Sequence, residues 1–301
     1  MRALENFSPR EWARLVPLQH ALKQWRNDLW LASYVRRRAR GQSEFMQKMR
    51  EFEGRDVALV IAFEQPWALS WLIEMAQRHL GDTQLIVFDN SRNPAKRQEI
   101  EQVCRERATP YLALPVNRTR HVNRSHGMAM QWVYSNVVRK LRPARFAFLD
   151  HDLIPIAPLR ICDRLGSQPV FGMKVLSPWG WQLWAGYCMF DLSAIGARRL
   201  NFNYDFSNGL DTGGRNFRAL YRDLDEPHMR FAPSRLEEVQ RPGDVCPAQV
   251  QIVDDAWLHI GGISYNDNFS DKAALSHYIA DAMAHGARWK DLCPRTHAPS
   301  A

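Results

Sequence analysis

The sequence predicts an α/β fold with a mostly parallel central sheet, flanked by helices and preceded by an N-terminal helical extension. Two observations predict it. From residue 56 onward, short apolar runs alternate with helical segments at the spacing of strand–helix–strand crossover units. Before that point, apolar residues recur every three or four positions, as on an amphipathic helix. We therefore divide the 301 residues into an extension (1–54) and one α/β domain (55–301).

The extension is predicted to be helical over 9–35, and its apolar positions are Trp12, Leu15, Leu18, Leu22, Trp25, Leu29 and Tyr34. A basic run over 36–40 follows, and then a polar stretch to Gly54. Two interpretations stay open. The helix either docks on the main domain with a solvated basic end, or it lies on an anionic membrane surface as a peripheral contact.

The first half of the domain alternates regularly between strands and helices. The predicted strands are VALVIAF (57–63), TQLIVFD (83–89), YLALPV (111–116) and RFAFLD (145–150). The predicted helices cover about 68–80, 95–107 and 127–141. Continuous apolar strands joined by helices indicate a parallel sheet that is covered on both faces.

The second half is less regular. Strands are predicted over 170–175 and 184–192, and a polar, turn-prone segment covers 201–216. A helix is predicted over about 215–224, a strand or turn over 257–262, and a closing helix over about 270–290.

Composition limits the classes of function. Lys and Arg exceed Asp and Glu by 40 to 32, and the net charge of +8 suggests an anionic partner such as a nucleotide, a phosphorylated substrate, nucleic acid or a lipid surface. No nucleic-acid-binding signature is present, so nucleic acid is not expected as the partner. The absence of a P-loop and of a G-x-G-x-x-G after the first strand argues against a kinase, an NTPase and a dinucleotide dehydrogenase.

Cysteine usage and the first residues suggest a compartment. Five widely spaced cysteines without a C-x-x-C pair predict reduced thiols, and neither a disulfide framework nor a zinc site. The chain starts without an apolar signal region, and no apolar run is long enough to span a bilayer. We expect a cytoplasmic protein, or one at the inner face of the membrane if the helical extension binds lipid.

Tripeptides that contain polar side chains lie at the ends of the first, second and fourth predicted strands. These tripeptides are Phe63-Glu64-Gln65, Asp89-Asn90-Ser91 and Asp150-His151-Asp152. Ligands of open α/β sheets bind beyond the carboxyl ends of the strands. Two carboxylates separated by one residue suit a hard divalent cation, Mn²⁺ or Mg²⁺, that also contacts phosphate oxygens. The alternative is that D-x-D is an ordinary loop tripeptide.

The order VALVIAF, VFDNS, LPVN, a His- and Gly-bearing helix start and LDHDLIPI resembles the nucleotide-diphospho-sugar glycosyltransferases of the GT-A fold, especially the family-2-like branch. It is a resemblance of motif order that covers about residues 56–160 well and 170–265 loosely. It implies a GT-A-like (Rossmann-like) domain with a nucleotide-sugar half (about 55–160) and an acceptor half (about 161–270). It also implies a metal-dependent transferase that moves a sugar from a nucleotide-diphosphate donor to a carbohydrate or lipid-linked acceptor hydroxyl, with inversion, in surface polysaccharide or glycan assembly.

The resemblance also implies roles for residues. Asp89 and Asn90 would contact the nucleoside, with Phe63 and Glu64 at the neighbouring strand end. Asp150 and Asp152 would bind the metal and the sugar nucleotide. His151 lies near the sugar or points to the opposite face of the strand. His259, in WLHIGG, matches a late histidine that returns to the metal, and Gly261 and Gly262 would allow close approach to phosphate.

Two acids compete for the role of base that takes the acceptor proton. Asp211, in NGLDTGGRN, is the first candidate, and the alternative is that it caps a helix near Arg215. Asp255, one of the two acids before WLHIGG, is the rival.

Two further segments keep two interpretations each. The aromatic segment 177–190 either stacks on a sugar, through Trp179 or Trp181, or is core. The basic loop after the third strand is either solvated or forms a positive rim for the diphosphate, and its residues are Arg118, Arg120, His121 and Arg124.

Two functional alternatives remain. A sugar nucleotidyltransferase normally carries a Gly-rich signature with Lys or Arg soon after the first strand, where this chain has FEQPWALSW. A non-catalytic nucleotide-sugar-binding or scaffold domain would share the fold but not need the acids.

Overall fold

Two β-sheets organise the chain in the computed structural model, which describes residues 4–261 and 269–293. Their strands, in chain order, are β1 Val57–Ala62, β2 Gln84–Asp89, β3 Tyr111–Ala113, β4 Arg145–Asp150, β5 Leu153–Pro155, β6 Val170–Ser177, β7 Gly180–Asp191, β8 Ser234–Val239, β9 Ala248–Val253 and β10 Trp257–His259. The larger sheet has the order β3-β2-β1-β4-β7-β6, and the smaller sheet has the order β5-β10-β9-β8.

The larger sheet confirms the predicted architecture. Strands β3, β2, β1 and β4 are parallel, and β7 and β6 complete the sheet in antiparallel pairs. The register places Ala62 opposite Asp89 and Ile61 opposite Asp150. The carboxyl ends of β1, β2 and β4 therefore meet at one edge of the sheet, where the polar triplets of the sequence begin.

Helices cover the larger sheet and surround it. The α-helices are α1 Pro9–Ala13, α2 Val16–Val35, α3 Gln42–Met49, α4 Pro66–His79, α5 Pro94–Glu106, α6 Val122–Val133, α7 Arg139–Leu141, α8 Leu192–Ile195, α9 Asn216–Ala219, α10 Phe269–Ala284 and α11 Trp289–Leu292. A π-helical turn, Tyr134–Val138, joins α6 to α7, and 3₁₀ turns occupy Leu4–Asn6, Arg50–Phe52, Ile161–Leu165, Tyr221–Asp223 and Glu226–His228.

Strand β1 lies at the centre of the core and is buried along its whole length. Its alternate residues enter two apolar clusters. Val57, Leu59 and Ile61 join the cluster that includes α6, and the residues between them join the cluster that includes α4 and the smaller sheet. Burial on both faces explains the continuous apolar sequence of this strand.

The smaller sheet was not predicted as a unit. Residues Leu153–Pro155 form β5, which pairs with β10 so that Leu153 lies opposite His259. Strands β8 and β9 extend this sheet, and their sequences SRLEEV and AQVQIV lack a long apolar run. The predicted helix at 215–224 is shorter than expected: α9 has four residues and is followed by a 3₁₀ turn.

Helix α2 docks on the domain through its polar side. Gln24, Asn27 and Tyr34 are buried, and Asn27 donates a hydrogen bond to the Asn203 side chain. The Gln24 carbonyl oxygen accepts from the Phe206 backbone N–H at 3.2 Å. Docking agrees with the first interpretation of the extension. Leu31 and Tyr34 are buried against the domain, whereas the other apolar positions are exposed: Trp12, Leu15, Leu18, Leu22, Trp25 and Leu29. None of the helices in the described ranges is long and apolar enough to cross a membrane.

Candidate functional site

A cleft of about 280 Å³ opens at the carboxyl ends of β1 and β4. Seven residues singled out from the sequence line it: Phe63, Asn90, Asp150, His151, Asp152, Asp211 and His259. The remaining lining residues come from α6, from β7 and from the segment that follows Asp211: Val122, Asn123, His126, Gln182, Trp184, Ala185 and Thr212.

Asp150, Asp152 and His259 form a compact group of metal-ligand type. One ligand atom of each lies within 4.8 Å of the others. Asp150 ends β4, and Asp152 precedes β5. Because β5 pairs with β10, His259 is brought beside Asp152, with 3.8 Å between Nε2 and the Asp152 Oδ1. The smaller sheet therefore delivers the histidine to the end of the parallel strand.

The His259 ring is oriented by Gln251 on β9. Its Nδ1 lies 2.6 Å from the Gln251 Oε1, and the Gln251 Nε2 donates to the Ser234 hydroxyl at 2.8 Å. Because the Gln251 amide oxygen faces the ring and can only accept, it accepts a hydrogen bond from the His259 Nδ1–H. Nε2 is then unprotonated in the neutral ring and faces Asp152. A histidine held through its second nitrogen in this way is typical of a metal ligand.

The two carboxylates carry more negative charge than the cleft neutralises. Burial and the neighbouring Asp152 carboxylate raise the pKa of Asp150 to about 6. The His126 Nε2 lies 3.4 Å from the Asp150 Oδ1, yet burial lowers the pKa of His126 to about 4. His126 is therefore neutral at neutral pH and does not balance the carboxylate. A cation would relieve this excess.

Trp184 on β7 is an aromatic residue of the cleft beside the metal-ligand group. Its ring centroid lies 4.6 Å from that of His259. Gly186 makes this arrangement possible, because a Cβ atom there would approach Trp184 to 2.3 Å and the Asp150 carboxylate to 2.4 Å. Trp181, which the sequence suggested for a sugar-stacking role, is buried and stacks on Tyr221 at 4.7 Å instead.

Asp211 reaches the cleft from the segment before α9. Its Oδ2 accepts from the Asn123 side chain at 3.0 Å, and its Oδ1 accepts from the Thr212 backbone N–H at 2.6 Å. It does not cap a helix, because α9 begins at Asn216 with Arg215 as the N-cap residue. The Thr212 hydroxyl also donates to Oδ1 at 3.2 Å, so donors from Asn123 and Thr212 fix the carboxylate in place.

The rival acid Asp255 lies outside the cleft. Its side chain is exposed and forms an ion pair with Arg235. Its neighbour Asp254 is buried against the Tyr187 hydroxyl, at 2.6 Å, and against Arg164. Of the two acids considered for proton transfer, the structure brings only Asp211 to the metal-ligand group.

Asp89 and Glu64 do not line the cleft either. The Asp89 carboxylate is fully buried and accepts from the Ser91 backbone N–H and the Tyr111 hydroxyl. Burial raises its pKa, and the hydrogen bonds from Ser91 oppose that shift. Glu64 accepts from the backbone N–H groups of Arg92 and Asn93, at 3.0 and 3.2 Å. The Asp89 and Glu64 carboxylates therefore stabilise the loop after β2. Of Glu64, Asp89 and Asn90, only Asn90 lines the cleft.

Three residues of the site were missed from the sequence. His126 lies in α6, which begins at Val122 and not near residue 127 as predicted. Gln251 lies in β9, for which no strand was predicted. Asn123 lies in the first turn of α6, in a segment that was predicted as a basic loop and considered only for its charge. The N-cap residue of α6 is His121, whose side chain accepts from the Arg124 N–H at 3.4 Å; His is not a preferred N-cap residue, so the sequence did not indicate the earlier helix start. Gly261 adopts a positive φ of 69°, and Gly262 lies outside the described residues.

Among known proteins, the chain is similar to solved structures, whereas no family model matches it and no curated protein matches it. Similar solved structures include glucosyl-3-phosphoglycerate synthase from Mycobacterium tuberculosis in complex with Mn²⁺ and UDP-glucose, with 13% identity, a TM-score of 0.35 and coverage of 52% of this chain and 63% of that one.

Two further solved structures are similar. The bifunctional glycosyltransferase WbbM shares 15% identity over 57% of this chain and 38% of its own, with a TM-score of 0.37. TarS from S. aureus shares 9% identity over 49% of this chain and 30% of its own, with a TM-score of 0.35. The chain thus spans less than two thirds of each of the three. Similarity of this extent identifies no family, and the function is argued from the chain's own cleft.

Proposed function

We propose that this protein is a metal-dependent glycosyltransferase that moves a sugar from a nucleotide-diphosphate donor to an acceptor hydroxyl. The observation that carries the proposal is the convergence of Asp150, Asp152 and His259 at the carboxyl end of a parallel strand, in a cleft that also contains Asp211. Ligands of open α/β sheets bind at this edge.

The three residues fit Mn²⁺ or Mg²⁺. Two carboxylates supply the oxygen ligands that hard divalent cations prefer, and one oriented imidazole suits Mn²⁺ better than Mg²⁺. Burial and the neighbouring Asp152 carboxylate raise the pKa of Asp150 to about 6, and a bound cation would stabilise its ionised form. When bound, such a cation would offset the charge of the donor diphosphate and of the diphosphate that leaves.

Asp211 is proposed as the base. It accepts the proton of the acceptor hydroxyl while that oxygen forms a bond to the anomeric carbon. The bond between the anomeric carbon and the diphosphate oxygen breaks, and the diphosphate departs with the bonding electron pair. Attack from the face opposite the leaving group inverts the anomeric configuration. The hydrogen bonds from Asn123 and Thr212 keep the Asp211 carboxylate positioned for this role.

The donor is proposed to bind among Phe63, Asn90 and His151, beside the metal ligands. The Asn90 side chain donates to the Ser125 hydroxyl at 3.0 Å, which leaves its buried Oδ1 without a partner among the described residues. That oxygen is available to a nucleoside N–H or O–H. Trp184 offers an aromatic face to a sugar ring.

The acceptor is proposed to be a carbohydrate or a lipid-linked glycan in surface polysaccharide or glycan assembly, and the compartment to be the cytoplasm. The sequence resemblance to family-2-like transferases supports this part.

A donor panel tests the proposal. The purified protein is incubated with different sugar nucleotides, with and without Mn²⁺, and release of nucleoside diphosphate is measured. We expect turnover that a chelator abolishes and that Asp152→Asn removes while the thermal transition is retained. Asp281→Asn, an exposed acid on α10, is the matched control and should retain full turnover.

Other outcomes identify the alternatives. Donor binding in calorimetry without release or transfer would favour a non-catalytic binding domain. Formation of a sugar nucleotide from a nucleoside triphosphate and a sugar phosphate would favour a nucleotidyltransferase. No donor binding in the presence of metal contradicts the proposal.

A further inference from the structure

Helix α2 carries an apolar stripe on the side that faces away from the domain. The stripe consists of Leu15, just before the helix, and four residues within it: Leu18, Leu22, Trp25 and Leu29. Their exposed fractions range from 50% for Leu29 to 66% for Leu22. Spacings of three and four place all five within one narrow sector of the helix surface. The buried residues Gln24 and Asn27 lie on the opposite side.

An ordinary surface helix buries its apolar stripe and solvates its polar face. Helix α2 instead buries Gln24 and Asn27 beside Leu31 and Tyr34, and it exposes the stripe. The polar side is committed to the domain by specific hydrogen bonds. Gln24, Asn27 and Asp28 all bond to the segment 203–215 or to one another. The helix therefore cannot rotate to bury the stripe without breaking these bonds. The stripe has no cover within the described residues.

Basic residues flank the stripe. From Pro9 to Arg40 the chain has eight Lys and Arg and only two acids, Glu11 and Asp28. Glu11 bonds to Ser8 in a capping box, and Asp28 faces Arg215 and Asn203. Both acids are thus occupied away from the stripe, whereas Lys23, Arg26 and Arg36 are exposed. The outer surface of the helix is apolar at its centre and cationic at its sides.

A basic cavity of about 620 Å³ adjoins this helix, between Trp30 and the loop before α6. Arg37, Arg118, Arg120 and Arg124 contribute to its walls. The guanidinium groups of Arg26 and Arg124 both lie over the Trp30 ring, at 5.0 and 5.8 Å. Within residues 4–261 and 269–293, no Asp or Glu forms an ion pair with Arg26 or any of these four. Unpaired guanidinium groups at this density are suited to phosphate.

We propose that the stripe and this basic cavity together form a docking surface for an anionic phospholipid bilayer. The leucine and tryptophan side chains insert at the level of the headgroups and upper acyl chains, and the flanking cations contact lipid phosphates. The proposal explains in one step why the polar side of α2 faces inward and why its outer side is apolar and basic.

Charge favours a bilayer over a second copy of this chain. The stripe has a heptad-like spacing, so two copies of α2 are the main rival occupant. In such a pair, Lys23, Arg26 and Arg36 of each copy would approach those of the other. No acids on the outer side of the helix are free to compensate them. An anionic surface removes this repulsion, and a second copy adds to it.

The surface is adjacent to the acceptor side of the cleft. Asn123 donates to the Asp211 carboxylate, and the next residue, Arg124, lies over Trp30 of α2. One turn of α6 therefore connects the proposed base with the proposed lipid surface. Docking there would bring the cleft close to the lipid–water boundary.

Vesicle cosedimentation with the full chain tests the proposal. The vesicles contain phosphatidylcholine with or without phosphatidylglycerol. We expect binding only when phosphatidylglycerol is present, and we expect Leu22→Glu combined with Trp25→Glu to reduce it at least about tenfold. Leu236→Glu, at an equally exposed leucine on β8, is the matched control and should bind as the unaltered chain does.

The cationic contribution is tested separately by Lys23→Gln, Arg26→Gln and Arg36→Gln, each expected to weaken binding roughly fivefold. Equal binding to vesicles without phosphatidylglycerol, or unchanged binding of the stripe variant, would overturn the proposal. So would a lipid-free dimer that Leu22→Glu dissociates, since the second copy would then be the occupant. Asp152→Asn should bind vesicles normally, and this result separates docking from the proposed transfer reaction.

Discussion

The cleft and helix α2 both contain side chains whose positions do not contribute to the stability of the folded chain. In the cleft, Asp150 and Asp152 bring two carboxylates together, and no Lys or Arg of the described residues lines the cleft beside them. On α2, leucine and tryptophan side chains are held in water while polar side chains are buried. Such departures from the usual distribution are expected at sites that bind something else.

The difference between the two regions lies in their geometry. In the cleft the ligand atoms converge to within 4.8 Å, which fits a single ion and the phosphates around it. On α2 the exposed residues extend along roughly 21 Å of helix, at 1.5 Å per residue from Leu15 to Leu29. A line of apolar side chains fits an extended surface. The side chains converge on one point in the cleft and extend along a line on α2. This difference indicates how large the partner of each region is.

The largest effect is expected for Asp211→Asn, which tests whether the cleft is organised for transfer as well as for binding. The amide keeps the shape of the side chain but cannot accept the acceptor proton. We expect the transfer rate to fall by about 10²–10⁴-fold, with donor affinity in calorimetry within about twofold of the unaltered chain. Asp255→Asn is the matched control and should retain activity, because Asp255 lies outside the cleft. Equal loss of donor affinity and transfer would remove Asp211 from the role of base.

A smaller effect is expected for Gln251→Leu, which tests whether His259 binds the metal together with Asp150 and Asp152. Loss of the bond to His259 Nδ1 frees the ring and its tautomer while the three metal ligands stay in place. We expect the affinity for Mn²⁺, measured by titration without substrate, to fall about 10- to 100-fold. Gln249→Leu, at an exposed position two residues earlier in the same strand, should leave it unchanged. Unchanged affinity in Gln251→Leu would mean that His259 is not a ligand.

The pH dependence of stability tests the charge imbalance of the metal-free cleft. The folded pKa of Asp150, about 6, lies above the unfolded value of about 3.9. Its contribution to stability is therefore fully present below about pH 4 and is lost as the pH rises through about 6. His126, with a lowered pKa of about 4, acts in the opposite direction, so variants must be compared with one another.

Asp150→Asn removes only the Asp150 contribution. We expect its free energy of unfolding, relative to the unaltered chain, to increase by about 1–3 kcal/mol between pH 4.5 and pH 7.5 in the presence of chelator. Denaturant titrations at both pH values measure it. An equal difference at both pH values would show that burial and the Asp152 carboxylate do not raise the pKa of Asp150. Saturating Mn²⁺ should remove the advantage of the variant at pH 7.5.

The sequence predicts the parallel half of the fold well, for a physical reason. Strands β1, β2 and β4 are buried on both faces, so each is a continuous apolar run that ends in polar residues, and each was placed within one residue of its observed bounds. Strands β8 and β9 are partly exposed, and polar residues interrupt the apolar ones in their sequences, SRLEEV and AQVQIV. Their sequences carry no such run, and the residue that orients His259 was missed with them.

Long-range pairing accounts for most of what the sequence did not reveal about the site. His259 approaches Asp152 because β10 pairs with β5, and Asp211 is fixed by Asn123 from α6. Neither pairing is encoded by local spacing. The same limit applies to α2. Its periodicity identified an apolar face, but the side that docks was decided by Asn203, which lies far along the chain.

The smallest effect is expected for Leu22→Ala, and it separates an apolar face that binds a partner from one that forms core. Leu22 keeps 66% of its surface exposed, so its truncation removes little buried area. We expect the free energy of unfolding to change by less than about 0.5 kcal/mol. Leu72→Ala, at a fully buried position on α4, should cost about 2–5 kcal/mol because it leaves a cavity. If Leu22→Ala lowers the free energy of unfolding by a similar amount in lipid-free solution, protein covers the stripe. Helix α2 would then bury its apolar residues against protein, as α4 does.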